Sequence, residues 1–147
     1  MSFAKSGLMP ALLENLQRLA YNEPTPVQQQ AIAPILAGKD ILAAAQTGTG
    51  KTAAFTLPAL QLLLTQGEKV TSNCVRALVL VPTRELAEQV HESIRMYLGD
   101  IPLRTAVAYG GVSINPQMMN LRRGVDVLVA TPGRLLDLYQ HNALRFN

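Results

Sequence analysis

The strongest constraint on this chain is a recurring pair of signals, a short apolar run followed by a helix start. The runs are Asp40-Ile41-Leu42-Ala43-Ala44, Ala77-Leu78-Val79-Leu80-Val81, Thr105-Ala106-Val107-Ala108-Tyr109 and Val125-Asp126-Val127-Leu128-Val129-Ala130. Each is short for a helix and nearly continuous in apolar character, as expected of a strand buried on both faces. The helix starts that follow are Gly50, Pro82-Thr83 and Thr131-Pro132, and a short helix over residues ~115–123 follows Gly110-Gly111. Two helices precede the first run. Leu12, Leu13, Leu16, Leu19 and Ala20 have helical spacing over residues ~10–21. Thr25-Pro26 supplies an N-cap and a first helical residue for a helix ending near Gly38. Strands alternating with helices predict an α/β fold, a parallel sheet with helices on both faces.

The 147 residues suit one domain, and their 48% hydrophobic content is enough for a sizeable core. No apolar run reaches the roughly 18 residues of a membrane span. The N-terminal segment has no charged-then-apolar signal pattern, so a cytoplasmic protein without membrane contact is expected. Cys74 is the only cysteine, which excludes an internal disulfide and a cysteine-based zinc site; it reads as an apolar filler. The net charge of +3 is compatible with a polyanionic partner. With no Trp and 5% aromatics, contact with a nucleic-acid backbone is favoured over base stacking.

Between the first run and its helix lies Ala45-Gln46-Thr47-Gly48-Thr49-Gly50-Lys51-Thr52. Apart from Ala45 at its first position, this is a phosphate loop: Gly, four residues, then Gly-Lys-Thr. Gly48 and Gly50 let the backbone approach phosphate without a clashing Cβ. Amides around Gly48–Thr52 can form an anion nest at the positive end of the following helix, and Thr47 and Thr49 are also expected to line the nucleotide site. Lys51 adds a full charge near the β- and γ-phosphates, and the Thr52 hydroxyl can ligate Mg²⁺. The loop therefore predicts a nucleoside triphosphate with Mg²⁺.

Three further segments make the whole chain resemble the DEAD-box ATP-dependent RNA helicases, most closely the bacterial RhlE-like subgroup. Ala20-Tyr21-Asn22-Glu23-Pro24-Thr25-Pro26-Val27-Gln28 resembles the Q motif, with Ala20 where Gly is usual and Phe3 at the position of the family's upstream aromatic. The resemblance implies an ATP pocket in which Gln28 reads adenine, Tyr21 packs on the ring, Phe3 supports it and Glu23 lies alongside. Taken alone, Thr25–Gln28 is also a capping box, with Gln28 serving only its own helix. Pro82-Thr83-Arg84-Glu85-Leu86-Ala87 resembles motif Ia, Gly110-Gly111 the GG doublet, and Thr131-Pro132-Gly133-Arg134 motif Ib. The resemblance implies that Pro82, Thr83, Arg84, Gly110, Gly111, Thr131, Pro132, Gly133 and Arg134 contact the phosphates of single-stranded or short duplex RNA. Each segment follows a predicted strand's carboxyl end, where open α/β sheets bind ligands. On their own terms, Thr83 and Thr131 are also N-caps, and Arg84 and Arg134 are also surface arginines.

The resemblance implies a P-loop, RecA-like fold covering the first part of a helicase ATP-binding domain, truncated before the Walker B strand. Neither Asp-Glu-Ala-Asp nor Ser-Ala-Thr occurs in the chain. A holder of adenine nucleotide with little turnover is therefore expected, with Lys51 and Thr52 as its share of the catalytic apparatus. The family's second RecA-like domain is also absent. The family sheet has further strands between Asp40–Ala44 and Ala77–Val81, so open edges, and a swapped or edge-paired oligomer or a closed-up sheet, are expected. Two other function classes compete: a different phosphate-loop enzyme, such as a kinase or GTPase, and a non-enzymatic nucleotide-binding module. The absence of Asn-Lys-x-Asp weighs against a guanine reader.

Overall fold

A computed structural model describes residues 3–44, 50–66 and 69–146. After a 3-10 turn at Phe3–Lys5 come α1 (Pro10–Arg18), α2 (Pro26–Leu36) and α3 (Lys51–Thr65). Then follow β1 (Val75–Leu80), α4 (Arg84–Leu98), β2 (Thr105–Ala108), α5 (Ile114–Leu121), β3 (Val125–Ala130) and α6 (Pro132–Gln140). The chain divides into two compact units, Met1–Gln66 with Met96–Ile101, and Gly67–Arg95 with Pro102–Asn147.

In the first unit, α2 packs on α3, and Leu12, Leu16, Ile32, Leu57 and Leu60 are fully buried. Pro10 starts α1, where its missing N–H costs no helical bond. The helix ends earlier than its apolar spacing predicts, because Ala20 turns left-handed at φ +62°. The Tyr21 N–H then reaches the Leu16 carbonyl, and the Ala20 N–H reaches that of Gln17, closing a Schellman motif. Buried Asn15 donates to the carbonyls of Tyr97 (2.8 Å) and Leu98 (3.0 Å) at the end of α4, and the Leu98 carbonyl also accepts from the Ile101 N–H at 2.8 Å.

The second unit holds a parallel sheet in the order β1-β3-β2. Val75 lies opposite Val125, and Thr105 opposite Val127. Every residue of β3 is buried. Successive strand residues point to opposite faces, so the central strand is covered on both, as the alternating pattern predicts. Buried Asp126 is held by the Arg76 guanidinium at 3.0 Å and the Arg104 N–H at 2.8 Å, so its charge is paired rather than stranded.

One predicted strand does not form. Asp40–Ala44 has no ladder partner among the described residues, and Leu42 is fully exposed. A parallel strand exists only where a neighbour takes up its N–H and C=O groups. The sequence pattern signals burial, but the neighbours that this run requires are not among the described strands. Its apolar side chains instead line an open cleft of about 470 Å³ with Pro26, Val27, Gln30 and Ala31 of α2. No described helix is long and apolar enough to cross a membrane.

Candidate nucleotide and nucleic-acid sites

In the first unit, Gly50 is the N-cap of α3 and takes φ +86°. A Cβ there would be strained and would collide with the Gln28 carboxamide nitrogen. That contact has a purpose: Gln28 Nε2 donates to the Gly50 carbonyl at 3.1 Å. Gln28 Oε1 accepts from the Thr25 N–H at 2.9 Å, so the predicted capping role is also realised. The carboxamide, at a residue only 5% exposed, therefore ties the start of α2 to the end of the phosphate-loop segment. A carboxamide has two N–H groups and two lone pairs, so one of each remains. The Thr25 hydroxyl is buried beside Gly50, with no hydrogen bond among the described residues.

Lys51 and Thr52 form the half-buried first turn of α3. Among the described residues no side chain caps this helix, so its first N–H groups and its positive end lie together at the Gly50 turn. Thr47, Gly48 and Thr49 lie outside the described residues. Tyr21 is exposed, with its ring edge-on to Tyr97 at 6.1 Å between centroids. Phe3 is buried and Glu23 exposed. The structure thus brings Thr25, Gln28 and Gly50 together, whereas among the described residues no hydrogen bond joins Phe3, Tyr21 or Glu23 to them.

In the second unit the three predicted phosphate-contacting segments leave one sheet edge. The Val81 N–H reaches the Ala130 carbonyl and the Thr131 N–H the Ala108 carbonyl, which carries the ladder just past the strand ends. Pro82–Arg84, Gly110-Gly111 and Thr131–Arg134 then turn off side by side. Thr83 Oγ1 accepts from the Leu86 N–H at 3.2 Å, capping α4. Thr131 is the N-cap of α6, with no hydrogen bond from its side chain to the helix.

The Arg84 guanidinium lies 5.9 Å from the centre of the Tyr109 ring and 4.0 Å from Glu85, with Gly111 beneath it. The Tyr109 hydroxyl donates to Glu88 at 2.5 Å, and this bond is the main cause of its raised pKa. Arg134 is not the exposed arginine of the simplest sequence reading: its side chain is 10% exposed. Its Nη1 donates to Gln117 Oε1 and its Nη2 to the Val112 carbonyl, both at 2.9 Å. Gln117 in turn donates to the Tyr109 carbonyl at 3.1 Å. Sequence reasoning missed Gln117, because nothing in its helix's pattern shows that its partner lies 17 residues away.

The parallel sheet and the glycine-capped Gly50-Lys51-Thr52 turn define a P-loop type of α/β protein. The chain belongs to the DEAD/DEAH box helicase family, whose model matches residues 25–146. It is 45% identical to DEAD-box ATP-dependent RNA helicase 52A of Oryza sativa subsp. japonica, covering 95% of this chain and 25% of that protein. It is 46% identical to the ATP-dependent rRNA helicase RRP3 of Lodderomyces elongisporus, covering 95% and 27%. The chain thus spans about a quarter of the length of these curated relatives. Among solved structures, a DEAD box protein from Methanococcus jannaschii matches with a TM-score of 0.86 at 35% identity, over 99% of this chain and 38% of that one. A hypothetical ATP-dependent RNA helicase from Sulfolobus tokodaii matches with a TM-score of 0.81 at 34% identity, over 92% and 38%. The RecA-like fold read from the sequence agrees with both.

Proposed function

We propose that this chain is the ATP- and RNA-binding part of a cytoplasmic, ATP-dependent RNA helicase that opens short duplexes locally. The observation that carries this reading is the emergence of Pro82–Arg84, Gly110-Gly111 and Thr131–Arg134 from one sheet edge, within a family whose relatives are named RNA helicases. Such an edge offers hydroxyls, glycine amides and helix N-termini, which suit a phosphate backbone and carry no base code. The family implies ATP with Mg²⁺, and the residues present fit both. The glycine cradle at Gly50, the uncapped turn of α3 and the Lys51 ammonium suit a polyphosphate. The Thr52 hydroxyl suits a hard cation.

Bound ATP with Mg²⁺ supplies the driving force for strand opening. The chain's own residues bind and orient. Lys51 neutralises phosphate charge, and Thr52 would hold the metal. Gln28, with one donor and one acceptor left, matches adenine's paired acceptor and donor and mismatches guanine's. Tyr21 offers an aromatic face and Phe3 a buried support. The 147 residues hold neither Asp-Glu-Ala-Asp nor Ser-Ala-Thr, so this chain alone is proposed to bind nucleotide with little turnover. Its partner in turnover would be a second RecA-like domain. The RhlE-like subgroup is proposed on the motif sequences, although relatives named as a pre-mRNA-processing RNA helicase and as an rRNA helicase also match.

Competition between ATP and GTP for a fluorescent nucleotide tests the adenine assignment, and anisotropy with a labelled oligouridine tests the RNA assignment. Tight ATP, weak GTP, micromolar RNA and negligible phosphate release are expected. Equal binding of ATP and GTP, or turnover matching a two-domain helicase, would overturn the respective parts.

A further inference from the structure

The Gly110-Gly111 turn is held from beneath at both of its ends. Tyr109, just before it, gives its carbonyl to Gln117 Nε2 at 3.1 Å. Val112, just after it, gives its carbonyl to Arg134 Nη2 at 2.9 Å. The two holding side chains are bonded to each other, Arg134 Nη1 to Gln117 Oε1, at 2.9 Å. Gln117 and the Arg134 side chain are nearly buried, at 9% and 10% exposure. Arg134 Nε is buried too, with no hydrogen-bond partner among the described residues, and lies 3.7 Å from Asp137. Two carbonyl anchors flanking the glycines, and the guanidinium–carboxamide bond between the anchoring side chains, hold this turn at both ends.

Peptide geometry gives the lock a consequence. All described peptides are trans, so a carbonyl and the N–H that follows it point in opposite directions. With the Tyr109 carbonyl drawn inward, the Gly110 N–H is aimed outward. With the Val112 carbonyl drawn inward, so is the Ser113 N–H. Among the described residues, no hydrogen bond uses either N–H. Gly111 is left-handed at φ +81°, which completes the reversal between them. Arg84 lies over the same turn.

We infer that Gln117 is a positioning residue for nucleic-acid binding. Through Arg134 it presents the Gly110 and Ser113 amides as a fixed pair of donors for one backbone phosphate. Arg134 thereby acts from inside the fold, as the turn's support, and Gln117 never touches the ligand. Preorganised donors bind more tightly because the turn is ordered before the phosphate arrives. The inference rests on the proposed RNA reading and adds a residue that the helicase motifs do not contain.

The test compares the full 147-residue chain with its Gln117→Leu and Gln117→Glu variants. Labelled oligouridine is the probe for affinity, and ¹⁵N-amide spectra report on the turn. Leu keeps the bulk and loses both bonds. Affinity should fall about tenfold, the scale of a lost buried hydrogen-bonding partner. No charge is lost, so the salt dependence of binding should be unchanged. In the unaltered chain, oligouridine should shift the Gly110 and Ser113 amides. The Leu variant should lose both shifts while nucleotide affinity is kept. Glu can still accept from Arg134 but cannot donate to Tyr109, so it should keep the Ser113 shift and lose that of Gly110. A Leu variant that folds and binds oligouridine with unaltered affinity would overturn the inference, and the RNA reading would stand. Amides that do not respond in a chain that does bind RNA would likewise overturn it. If the unaltered chain binds no RNA, both fall together.

Discussion

Gln28 and Gly50, 22 residues apart, are joined by a hydrogen bond from the Gln28 carboxamide to the Gly50 carbonyl at 3.1 Å. The same carboxamide caps α2 through the Thr25 N–H at 2.9 Å. The choice between a helix-capping Gln28 and a nucleotide-reading Gln28 is therefore not exclusive. A residue that caps one helix and grips the glycine preceding another still keeps one donor and one acceptor for the proposed base contact.

Gln28→Glu separates the two roles. A carboxylate still accepts from the Thr25 N–H but cannot donate to Gly50, and would face its carbonyl. Nucleotide affinity should fall tenfold or more, about 1.4 kcal/mol, with a modest change in melting temperature. Gln28→Ala should lose both roles, including a capping contribution of about 1 kcal/mol. Calorimetric titration with ADP, paired with thermal melts, checks this. Wild-type affinity in the Glu variant would separate Gln28 from the nucleotide.

Ala20 occupies a left-handed position, φ +62°, at the residue after the α1 C-cap. The sequence shows Ala where the family's Q motif has Gly, and the structure supplies the reason for Gly: a Cβ is disfavoured there. Ala20→Gly should stabilise the chain by about 1 kcal/mol, raising the melting temperature by about 2–4 °C. A lower melting temperature would show that Ala20 gains more from restricting the unfolded chain than it loses in strain.

His91 lies on α4, with Nε2 3.0 Å from the Thr105 hydroxyl. Burial lowers its pKa below 6.5, and Arg95 adds to the effect, while Glu88 and Glu92 oppose it. The unfolded state thus binds the proton more readily. The contribution of neutral His91 to stability is complete above pH 6.5 and is lost as pH falls through the lowered value. Urea melts at pH 7.5 and 5.5 should show a smaller acid loss for His91→Gln than for the unaltered chain. Identical losses would assign the acid sensitivity to other groups.

The strands that formed were legible because their apolar runs admit only burial. Val125–Ala130 is β3 residue for residue, Thr105–Tyr109 overshoots β2 by one residue at its end, and β1 starts two residues before and ends one residue before the Ala77–Val81 run. Asp40–Ala44 carries the same signal, but pairing is a property of the neighbour, which a local pattern cannot report. The motif residues were legible as types. What escaped was their orientation: Arg134 reads as a surface charge because its partners, Gln117 and the Val112 carbonyl, are brought near only by the fold.

The unpaired strand edges give the last prediction. β1 has a ladder with β3 alone; beyond the Val75 N–H bond to the Arg145 carbonyl and the Cys74–Arg145 bridge at its start, its other edge has no ladder among the described residues. Leu78 and Leu80 share one face of β1 and are 36% and 52% exposed. An open edge carrying exposed leucines is a template for another chain. This 147-residue chain should therefore self-associate at micromolar concentration, as light scattering would show. Leu80→Lys places a charge on that face and should shift the population towards monomer. Because the substituted side chain is already half-exposed, the melting temperature of the monomer should change little. A wild-type chain that stays monomeric up to high concentration would mean that the edge is protected. In that case Leu80→Lys should alter neither mass nor solubility, and the exposed leucines would need another explanation than strand pairing.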